Sequence, residues 1–444
     1  MKRLILGAAA AVLILSGCGG LNFYKQLDVM VSAKQFQEAD GVIEKQKHQY
    51  KGNNELIYFL DKGAIMQMLG DYKQSTGFLN SAEQIVEELY TKSITGEIGA
   101  FLSNDLNLPY AGEDFEQVMI NIIKCLNFMY QGDFPGAQVE ARRVNHRLNV
   151  ISDKLEGKNN YKEDAFARYL GAIAYEGAGD INSAYIDYKK ALKAYERYMA
   201  LYGTEIPQGL KADVLRLAGA MGFSDDIERY QKEWGEKVQY EKHSSFSKRG
   251  EVIAVIYDGM PAYKTSYYTT HPVVDKNKKK SYVMRIAFPK FVPRPFNVAS
   301  AELVCKGKNA TGFVAQDVSS IAVKNLADNI ILISVKAIAR ATVKFLAAQA
   351  LRNEDETDPK KKQTGQLLGA LADIYNIASE QADTRSWRTL PGRFHLVRMS
   401  LPPGKHAVTV RLTGLSGAVR EEQIEVNVKR GKKTVIPVFA YSGL

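Results

Sequence analysis

Cysteine is scarce in this chain, with three among 444 residues, at positions 18, 125 and 305. So few cysteines cannot build the disulfide framework that holds many small secreted proteins together. We predict that Cys125 and Cys305, which lie far apart in the sequence, are buried free thiols; a disulfide between them in an oxidising compartment is the alternative. The composition, 45% hydrophobic and 24% charged, is that of a globular protein held by an ordinary core.

Motifs for catalysis and metal binding are also missing from the sequence. The six histidines show no metal-ligand spacing, and no glycine-rich phosphate loop occurs. The stretch GLSG at 414–417 lacks the spacing of a nucleophile elbow and is interpreted as a hairpin turn. Glu421 and Glu422 are adjacent on a predicted strand, so they point to opposite faces and cannot act together as acid and base. We expect no catalytic residue, no metal and no cofactor in a non-enzymatic protein, with an unrecognised hydrolase as the alternative.

Long apolar runs are limited to the start of the chain. Leu4 to Leu15 follow Lys2 and Arg3 and make an apolar segment of about a dozen residues, as in a secretory signal, where a membrane span needs about 20. The next most apolar segment, 330–351, carries three basic residues spaced four apart, which form one charged stripe on a helix. We predict an amphipathic helix there.

The apolar run ends in Leu15, Ser16, Gly17 and Cys18. This resembles the bacterial lipobox, an apolar residue followed by two small residues and a cysteine. The resemblance implies cleavage before Cys18 and its modification with diacylglycerol and a fatty acyl chain such as palmitate. An ordinary signal peptide with an incidental cysteine is the alternative.

The residues after Cys18 bear on where such a lipoprotein would reside. In enterobacterial lipoproteins an Asp at this place holds the protein in the inner membrane, whereas this chain has glycines at 19 and 20. The resemblance therefore implies the outer membrane, with the protein facing the periplasm. Several acyl chains on one residue give stable anchoring where a single chain is marginal.

Charge divides the chain into two parts. Residues 1–247 carry a net charge of −5 and residues 248–444 carry +15. This asymmetry indicates two modules with different partners, the basic one suited to anionic envelope surfaces such as lipid head groups or polysaccharides. Nucleic acid is excluded as a partner of an exported chain. A tyrosine-rich segment that we interpret as an extended loop ends in the densest basic cluster, Lys276, Lys278, Lys279 and Lys280. This cluster is a candidate contact for an anionic surface. The alternative is a solvated hairpin tip.

The acidic part contains a repeated helix–turn–helix pattern. It resembles the tetratricopeptide repeat, in which a small residue lets two helices approach closely and a Gly-Asp-aromatic turn joins them. Three copies agree, and a weaker copy precedes them. Residues 210–234 predict a further helix pair, and insertions make the spacing irregular. Stacked pairs of this kind form a solenoid whose concave face commonly binds peptides or proteins. The residues expected at the close contacts and turns are Gly63, Gly70, Ala82, Gly132, Ala137, Gly179, Ala184 and Ala191.

The basic part reads as strands with a helical insertion. Alternating or continuous apolar segments predict strands in 250–258, 282–291, 298–307, 394–401, 405–414, 422–431 and 433–441. Between them, 319–383 predicts a helical hairpin. The sequence therefore predicts an α+β protein with a signal peptide at 1–17, a lipidated tether at 18–24, a helical repeat domain at 25–242 and an antiparallel β-sandwich at 248–444.

One further segment, QADTRSWRTLPGRFHLVRMSLPPGKH, completes a recognisable order of features. Together with the lipobox, the repeats and the strand GEVIAVIYDGMP, it resembles a family of bacterial tetratricopeptide-repeat-like lipoproteins. This resemblance implies the fold and implies no activity. From the residues themselves, Asp383, Arg385 and Trp387 can lock the junction between helix and sheet through charge-assisted hydrogen bonds and stacking. A ligand pocket at the same place is the alternative.

The sequence thus favours a lipid-anchored scaffold or accessory factor of envelope assembly. Its expected partners are envelope proteins held by the solenoid and the membrane reached through the anchor, with an anionic envelope polymer as a further candidate. The alternative is a protein that binds or modifies carbohydrate through the basic β-domain.

Overall fold

A computed structural model describes residues 23–94, 105–154, 161, 163–235, 238–275, 280–351, 357–379 and 381–442. The protein is a mixed α+β structure, in which helices fill the first half and strands dominate the second.

Consecutive helices of the first half form antiparallel pairs. The bounds are α1 Tyr24–Ser32 and α2 Phe36–Lys45, α3 Glu55–Met68 and α4 Tyr72–Ile94, α5 Asp114–Tyr130 and α6 Phe134–Lys154, α7 Ala165–Ala178 and α8 Ile181–Tyr202, and α9 Gln208–Ala220 and α10 Ser224–Trp234. A single turn, α11 His243–Phe246, leads into the second half. The pair α9–α10 confirms the predicted fifth helix pair.

Glycine and aspartate explain why the pairs turn where they do. In three turns the glycine has a positive φ, which a side chain would disfavour: Gly70 at 80°, Gly132 at 73° and Gly179 at 91°. The aspartate that follows each glycine accepts a hydrogen bond from a backbone N–H in the first turn of the next helix, at distances of 2.9 to 3.0 Å: Asp71, Asp133 and Asp180. The dipeptide therefore ends one helix and begins the next.

The second half contains ten strands and two long helices in the described part of the chain. The strands are β1 Gly250–Asp258, β2 Tyr263–Asp275, β3 Lys280–Val292, β4 Val298–Cys305, β5 Lys308–Thr311, β6 Phe313–Asp317, β7 Arg393–Leu401, β8 Gly404–Gly414, β9 Val419–Val428 and β10 Lys433–Ala440. The helices α12 Val318–Leu351 and α13 Pro359–Ser379 lie between β6 and β7.

These strands form two four-stranded sheets and a separate hairpin. The first sheet has the order β10-β1-β7-β6, the second has the order β5-β4-β8-β9, and β2 pairs with β3 alone. Apolar side chains of both four-stranded sheets, among them Val252, Ile256, Leu303 and Val410, share one buried cluster. The two sheets therefore pack against each other through this cluster.

Two sequence predictions about the strands were wrong. The tyrosine-rich segment predicted as a loop is strand β2, because its Tyr, Thr and Val side chains favour extended backbone and every residue from Tyr263 to Asp275 pairs with β3. The sheets are not wholly antiparallel, because β10 runs parallel to β1 over Glu251–Asp258. A long connection brings the chain back to β1, and parallel pairing requires such a crossover in place of a hairpin.

Strand β1 is the centre of the molecule. All nine of its residues are buried, since alternate side chains face the second sheet and the helices. Ile253, Val255 and Tyr257 belong to the same hydrophobic cluster as residues of the paired helices α1 to α9. The change from helices to strands falls near residue 243, as the sequence suggests, but the hydrophobic core is continuous across it.

Strands β2 and β3 and helices α12 and α13 pack together as an extension that we call the arm. Ile286 and Phe288 of β3 form a small cluster with Ala337 and Ala341 of α12. Over the residues that the structure describes, no helix is both long enough and apolar enough to cross a membrane.

The two cysteines within the described residues are as predicted. Cys125 on α5 and Cys305 on β4 are both buried and free. Burial raises the pKa of the Cys125 thiol, with Glu140 adding to the effect, so this thiol stays protonated and unreactive.

Candidate functional site

The first helix of each pair faces the second half of the chain. Tyr257 of β1 donates a hydrogen bond to Gln67 of α3 at 2.8 Å and lies 2.9 Å from the hydroxyl of Tyr130 of α5. Phe166 of α7 packs on Phe394 of β7 with ring centroids 5.1 Å apart. The helical face that would be open in an isolated solenoid is therefore occupied by the protein's own sheet.

A second segment, residues 381–390, lies against the same face, and we call it the strap. The main-chain N–H of Trp387 donates to Glu116 at 2.7 Å, and Thr389 donates to Asp61 at 2.8 Å. Arg385 donates to the main-chain carbonyl of Leu108 at 3.0 Å. The strap joins α13 to β7 and fastens both to the helices.

The predicted pair of Asp383 and Arg385 is confirmed. The guanidinium donates two hydrogen bonds to the carboxylate, at 2.9 and 2.7 Å, and Trp387 beside them is 1% exposed. The residues form a buried, hydrogen-bonded corner between helix and sheet. That the corner also binds the helices was not predicted.

Two buried carboxylates hold the strap. Burial raises the pKa of Asp61 to about 7, against hydrogen bonds from Thr389, Tyr50 and Tyr24 that favour its ionised form. Burial, together with nearby Glu113, likewise raises the pKa of Glu116 to about 7. Both groups therefore change protonation near neutral pH while they are in contact with the strap.

A cleft of about 890 Å³ opens between α8, α9 and the first sheet. Its walls combine aromatic rings, amides, hydroxyls and charged groups, and the outward-facing positions include Gln208 and Gln239. The aromatic, polar and charged residues that line the cleft include Tyr169, Tyr202, Thr204, Gln208, Asp213, Arg216, Gln239, Tyr240, Glu251, Phe313, Asp317, Arg393 and Arg398.

One wall of the cleft belongs to a closed ring of six alternating charges, which we call the charge ring. Going around it, Arg216 contacts Glu176 at 2.5 Å, Glu176 contacts Lys433 at 3.0 Å, and Lys433 contacts Glu251 at 2.5 Å. Glu251 contacts Arg398 at 2.7 Å, Arg398 pairs with Asp213, and Asp213 contacts Arg216 at 2.7 Å. The ring joins α7 and α9 to β1, β7 and β10.

Attraction to neighbouring cations keeps Glu176 and Glu251 of this ring ionised despite their burial. Burial alone would raise the pKa of Glu176, but Lys433 and Arg216 more than offset that effect and hold it far below its ordinary value. For Glu251 burial is likewise outweighed, here by Arg398 and Lys433, and its pKa is lowered. Carboxylates held in this state accept hydrogen bonds and do not exchange protons near neutral pH, so the ring acts as a rigid structural clasp.

The outer wall of the cleft is less constrained. Arg393 lies over the ring of Phe296 at 3.4 Å and contacts Asp317 at 2.9 Å, and its side chain is 29% exposed. Tyr240 is half-buried, and Gln208 and Gln239 are exposed. These groups can meet a ligand through stacking and neutral hydrogen bonds.

Metal binding has no support in the described part of the chain. No group of three or more histidine, cysteine, aspartate or glutamate side chains there is arranged to hold an ion.

The residues singled out from the sequence do not converge on the cleft. Cys18, with Leu15, Ser16 and Gly17, lies outside the described residues, as do Lys276, Lys278 and Lys279; Lys280 begins β3, but its side chain is also outside them. The remaining set lies within the helical pairs. A Cβ on Gly63 would stand 2.6 Å from the side chain of Leu79. The turns described above contain Gly70, Gly132 and Gly179. Four small residues are fully buried: Ala82, Ala137, Ala184 and Ala191.

Sequence reasoning missed the charge ring. Two of its strand members have a recognisable signal, because Glu251 and Arg398 are charged residues between apolar neighbours in the buried strands GEVIAVIYD and RFHLVRMSL. A charge inside a buried strand requires a partner. The identity of that partner on a helix could not be read from the sequence.

Comparisons with known proteins add little to this picture. No protein-family model matches the chain, and no curated protein matches it. Among solved structures, the chain is similar to a putative kinesin light chain with nearly identical TPR-like repeats from Podosopora anserina, at 11% identity and a TM-score of 0.30, over 48% of this chain and 92% of that one. It is also similar to BtubC (BKLC) from P. vanneervenii, at 12% identity and a TM-score of 0.30, over 55% of this chain and 95% of that one. TM-scores this low do not establish a shared overall fold.

Proposed function

We propose that this chain is a lipid-anchored, non-catalytic scaffold or accessory factor of bacterial cell-envelope assembly, tethered to the outer membrane through Cys18. The helical part is taken as a tetratricopeptide-like array and the two packed sheets as a β-sandwich interrupted by a helical hairpin. The observation that carries the proposal is the rigid junction of the two halves, where the charge ring closes one side of an open polar cleft.

The occupied helical face changes where a partner would bind. In the sequence-based expectation the concave face of the solenoid holds a protein. That face is covered by β1, β7 and the strap, so the cleft beside α9 is the better site for a partner segment. Its exposed amides and half-buried tyrosine suit a polar peptide or loop, and its ring charges are engaged with one another.

The test is capture of partners by the purified chain from envelope extract. The double variant Gln208→Ala and Tyr240→Ala changes the outer wall of the cleft and leaves the charge ring intact. We expect a specific envelope protein to be captured by the unmodified chain and lost with this variant. Capture of the same proteins by both would exclude the cleft as the binding site.

A second candidate function is carbohydrate binding in the same cleft. It is favoured by the combination of Tyr202, Tyr240 and Phe313 with neutral hydrogen-bonding groups, since sugars present an apolar face and a rim of hydroxyls. Calorimetric titration with soluble envelope glycans distinguishes the two. Saturable binding that Tyr240→Ala abolishes would favour carbohydrate, and its absence would leave the protein partner.

A further inference from the structure

The arm carries most of the exposed large hydrophobic side chains of the molecule. Fourteen of the 22 such residues in the described part of the chain lie on β2, β3, α12 or α13. Soluble proteins rarely expose large contiguous apolar surfaces without using them for binding. The arm is therefore a candidate interaction surface of its own, separate from the cleft.

Six of the eight exposed large apolar residues of α12 form one face of the helix. At 100° per residue, Ile331, Val335, Ile338 and Leu346 fall within a narrow stripe, and Leu332 and Val343 border it. The opposite side of the helix holds Ala337 and Ala341, which pack with Ile286 and Phe288 of β3, and the buried Ala348. We call the six exposed residues the aliphatic face: Ile331, Leu332, Val335, Ile338, Val343 and Leu346.

The charged groups around this face are mainly basic. From residue 329 to residue 351, α12 contains no carboxylate, and its cations are the half-buried Lys336 and Lys344 and the buried Arg340. Asp328, one turn before Ile331, pairs with Lys324 at 2.9 Å. Lys336 follows Val335 directly and is placed next to Leu332 and Val343 around the helix. Helix α13 begins with three exposed lysines at 360–362 and adds exposed Leu367 and Leu368.

This composition matches a lipid surface better than a protein surface. Protein interfaces are enriched in aromatic residues and carry hydrogen-bonding groups at the rim. The aliphatic face has only branched apolar side chains, with Lys336 at its edge. That is the pattern of helices that lie in the plane of a membrane, where apolar residues enter the acyl region and Lys or Arg meet anionic head groups.

The base of the arm lies beside the start of the described chain. The guanidinium of Arg388 stands 4.8 Å from the ring of Tyr24 and 5.3 Å from the ring of Tyr263, the first residue of β2. Ala262 donates its main-chain N–H to Ser319 in the first turn of α12 at 3.0 Å, so α12 also starts at this base.

Distances along the chain then relate the face to the proposed anchor. The six residues from Cys18 to Tyr24 span at most about 21 Å when extended. Ile331 is twelve residues beyond Ser319, about 18 Å along the helix. A membrane that held a lipidated Cys18 would therefore be within reach of the aliphatic face.

We propose that the aliphatic face of α12 is a membrane-contacting surface that binds the acyl–head-group boundary of an anionic bilayer. The proximity step rests on the proposed lipid anchor, whereas the exposure and composition of the face do not. The occupant is a lipid surface, and a second copy of the chain or a protein partner is an alternative outcome of the test.

The experiment uses the chain from residue 19, which cannot be acylated at Cys18, with phosphatidylcholine vesicles that contain or lack phosphatidylglycerol. We expect flotation with the anionic vesicles and weaker flotation with the neutral ones. The triple variant Ile331→Gln, Val335→Gln and Ile338→Gln keeps good helix formers in place and should lower partitioning by about tenfold or more.

A matched variant controls for the loss of exposed apolar surface in general. Val139→Gln, Ile186→Gln and Met199→Gln change three exposed helical residues on α6 and α8 and should leave flotation unchanged. As an independent measurement, an environment-sensitive dye on Val335→Cys should shift to shorter emission wavelengths when anionic vesicles are added.

Three results would overturn the inference: no flotation, equal flotation of the α12 variant, or a dimer in solution that the α12 variant abolishes. Lipidation of Cys18 is measured separately, on the full chain in cells. If Cys18 is not labelled, the proposed lipid anchor is wrong, whereas binding of the α12 face to vesicles still stands on its own measurement. The failure of one proposal can therefore be told from the failure of the other.

Discussion

Replacing Arg398 with methionine should weaken the junction between the two halves of the protein. Its guanidinium contacts Glu251 at 2.7 Å, pairs with Asp213 and donates to the hydroxyl of Tyr169 at 2.7 Å. Methionine replaces the aliphatic stem of arginine and lacks the guanidinium group with its charge. Arg398→Met therefore leaves two buried carboxylates, each with one remaining cation, Lys433 for Glu251 and Arg216 for Asp213.

The expected magnitude follows from the burial of the ring. Removing one partner of a buried ion pair typically costs about 3 to 5 kcal/mol, because the desolvated charge that remains is incompletely compensated. Since each carboxylate keeps one cation, we expect the lower end, about 3 kcal/mol of unfolding free energy. Arg398→Lys should cost less, because it keeps the charge and loses the bidentate geometry.

The pH dependence of the loss gives a second signature. In the intact ring the pKa of Glu251 is lowered, because Arg398 and Lys433 outweigh the effect of burial. A lowered folded-state pKa contributes stability that is present above the unfolded pKa and is lost as pH falls through the folded pKa. Without Arg398 this pKa rises toward its ordinary value of about 4.3, so the destabilisation by Arg398→Met should be full above that pH and should shrink as pH falls below it.

Urea unfolding followed by circular dichroism measures these changes. Arg411 on β8 is the matched control, since it also contacts two carboxylates, Glu302 and Glu421, but its side chain is 40% exposed. Arg411→Met should leave the unfolding midpoint nearly unchanged. Equal, small shifts for Arg398→Met and Arg411→Met would refute the structural role of the charge ring.

Three further predictions concern other parts of the chain. The pKa of Asp61 in the folded protein is raised to about 7, so between about pH 4 and pH 7 the folded form holds a proton that the unfolded form releases. The stability that this proton contributes is lost as pH rises through that window. The unfolding midpoint of Asp61→Asn should therefore depend less on pH there than that of the unmodified protein. Gly63→Ala should lower the free energy of unfolding by about 1 to 3 kcal/mol in a thermal melt, because the added Cβ would stand 2.6 Å from Leu79, whereas Gly77→Ala, which meets nothing within 4 Å, should not destabilise the protein. Cys18→Ala should abolish incorporation of a fatty-acid probe in cells, and label that persists on this variant would exclude Cys18 as the acylated residue.

Local patterns in the sequence predict much of the helical half and little of its assembly. The Gly-Asp turns at 70, 132 and 179 are local features, in which a positive φ and a capping carboxylate are set by adjacent residues. The cover of the helical face by Tyr257 and the strap is non-local, since these contacts join residues more than 100 positions apart. Periodicity shows that a face is apolar but not what covers it.

The strands show the same division between local and non-local information. Alternation of apolar residues predicts β7, β8 and β9, whereas the parallel pairing of β10 with β1 depends on where the chain returns after the second sheet. The loop predicted at β2 shows how a polar, tyrosine-rich strand is missed when only apolar alternation is counted. The cleft could not be predicted, because its walls come from α9 and from strands far apart in the sequence.

The helical array and the strand-rich half should unfold as one body, because the strands and the strap cover the face of the helices. The most direct measurement compares two signals during urea unfolding of Trp234→Phe, in which Trp387 of the strap is the remaining tryptophan. Its fluorescence reports release of the strap, and circular dichroism at 222 nm reports the helices. Coincident transitions with one midpoint are the predicted result. Loss of the Trp387 signal at a clearly lower urea concentration, with the helices still intact, would show that the two halves unfold separately.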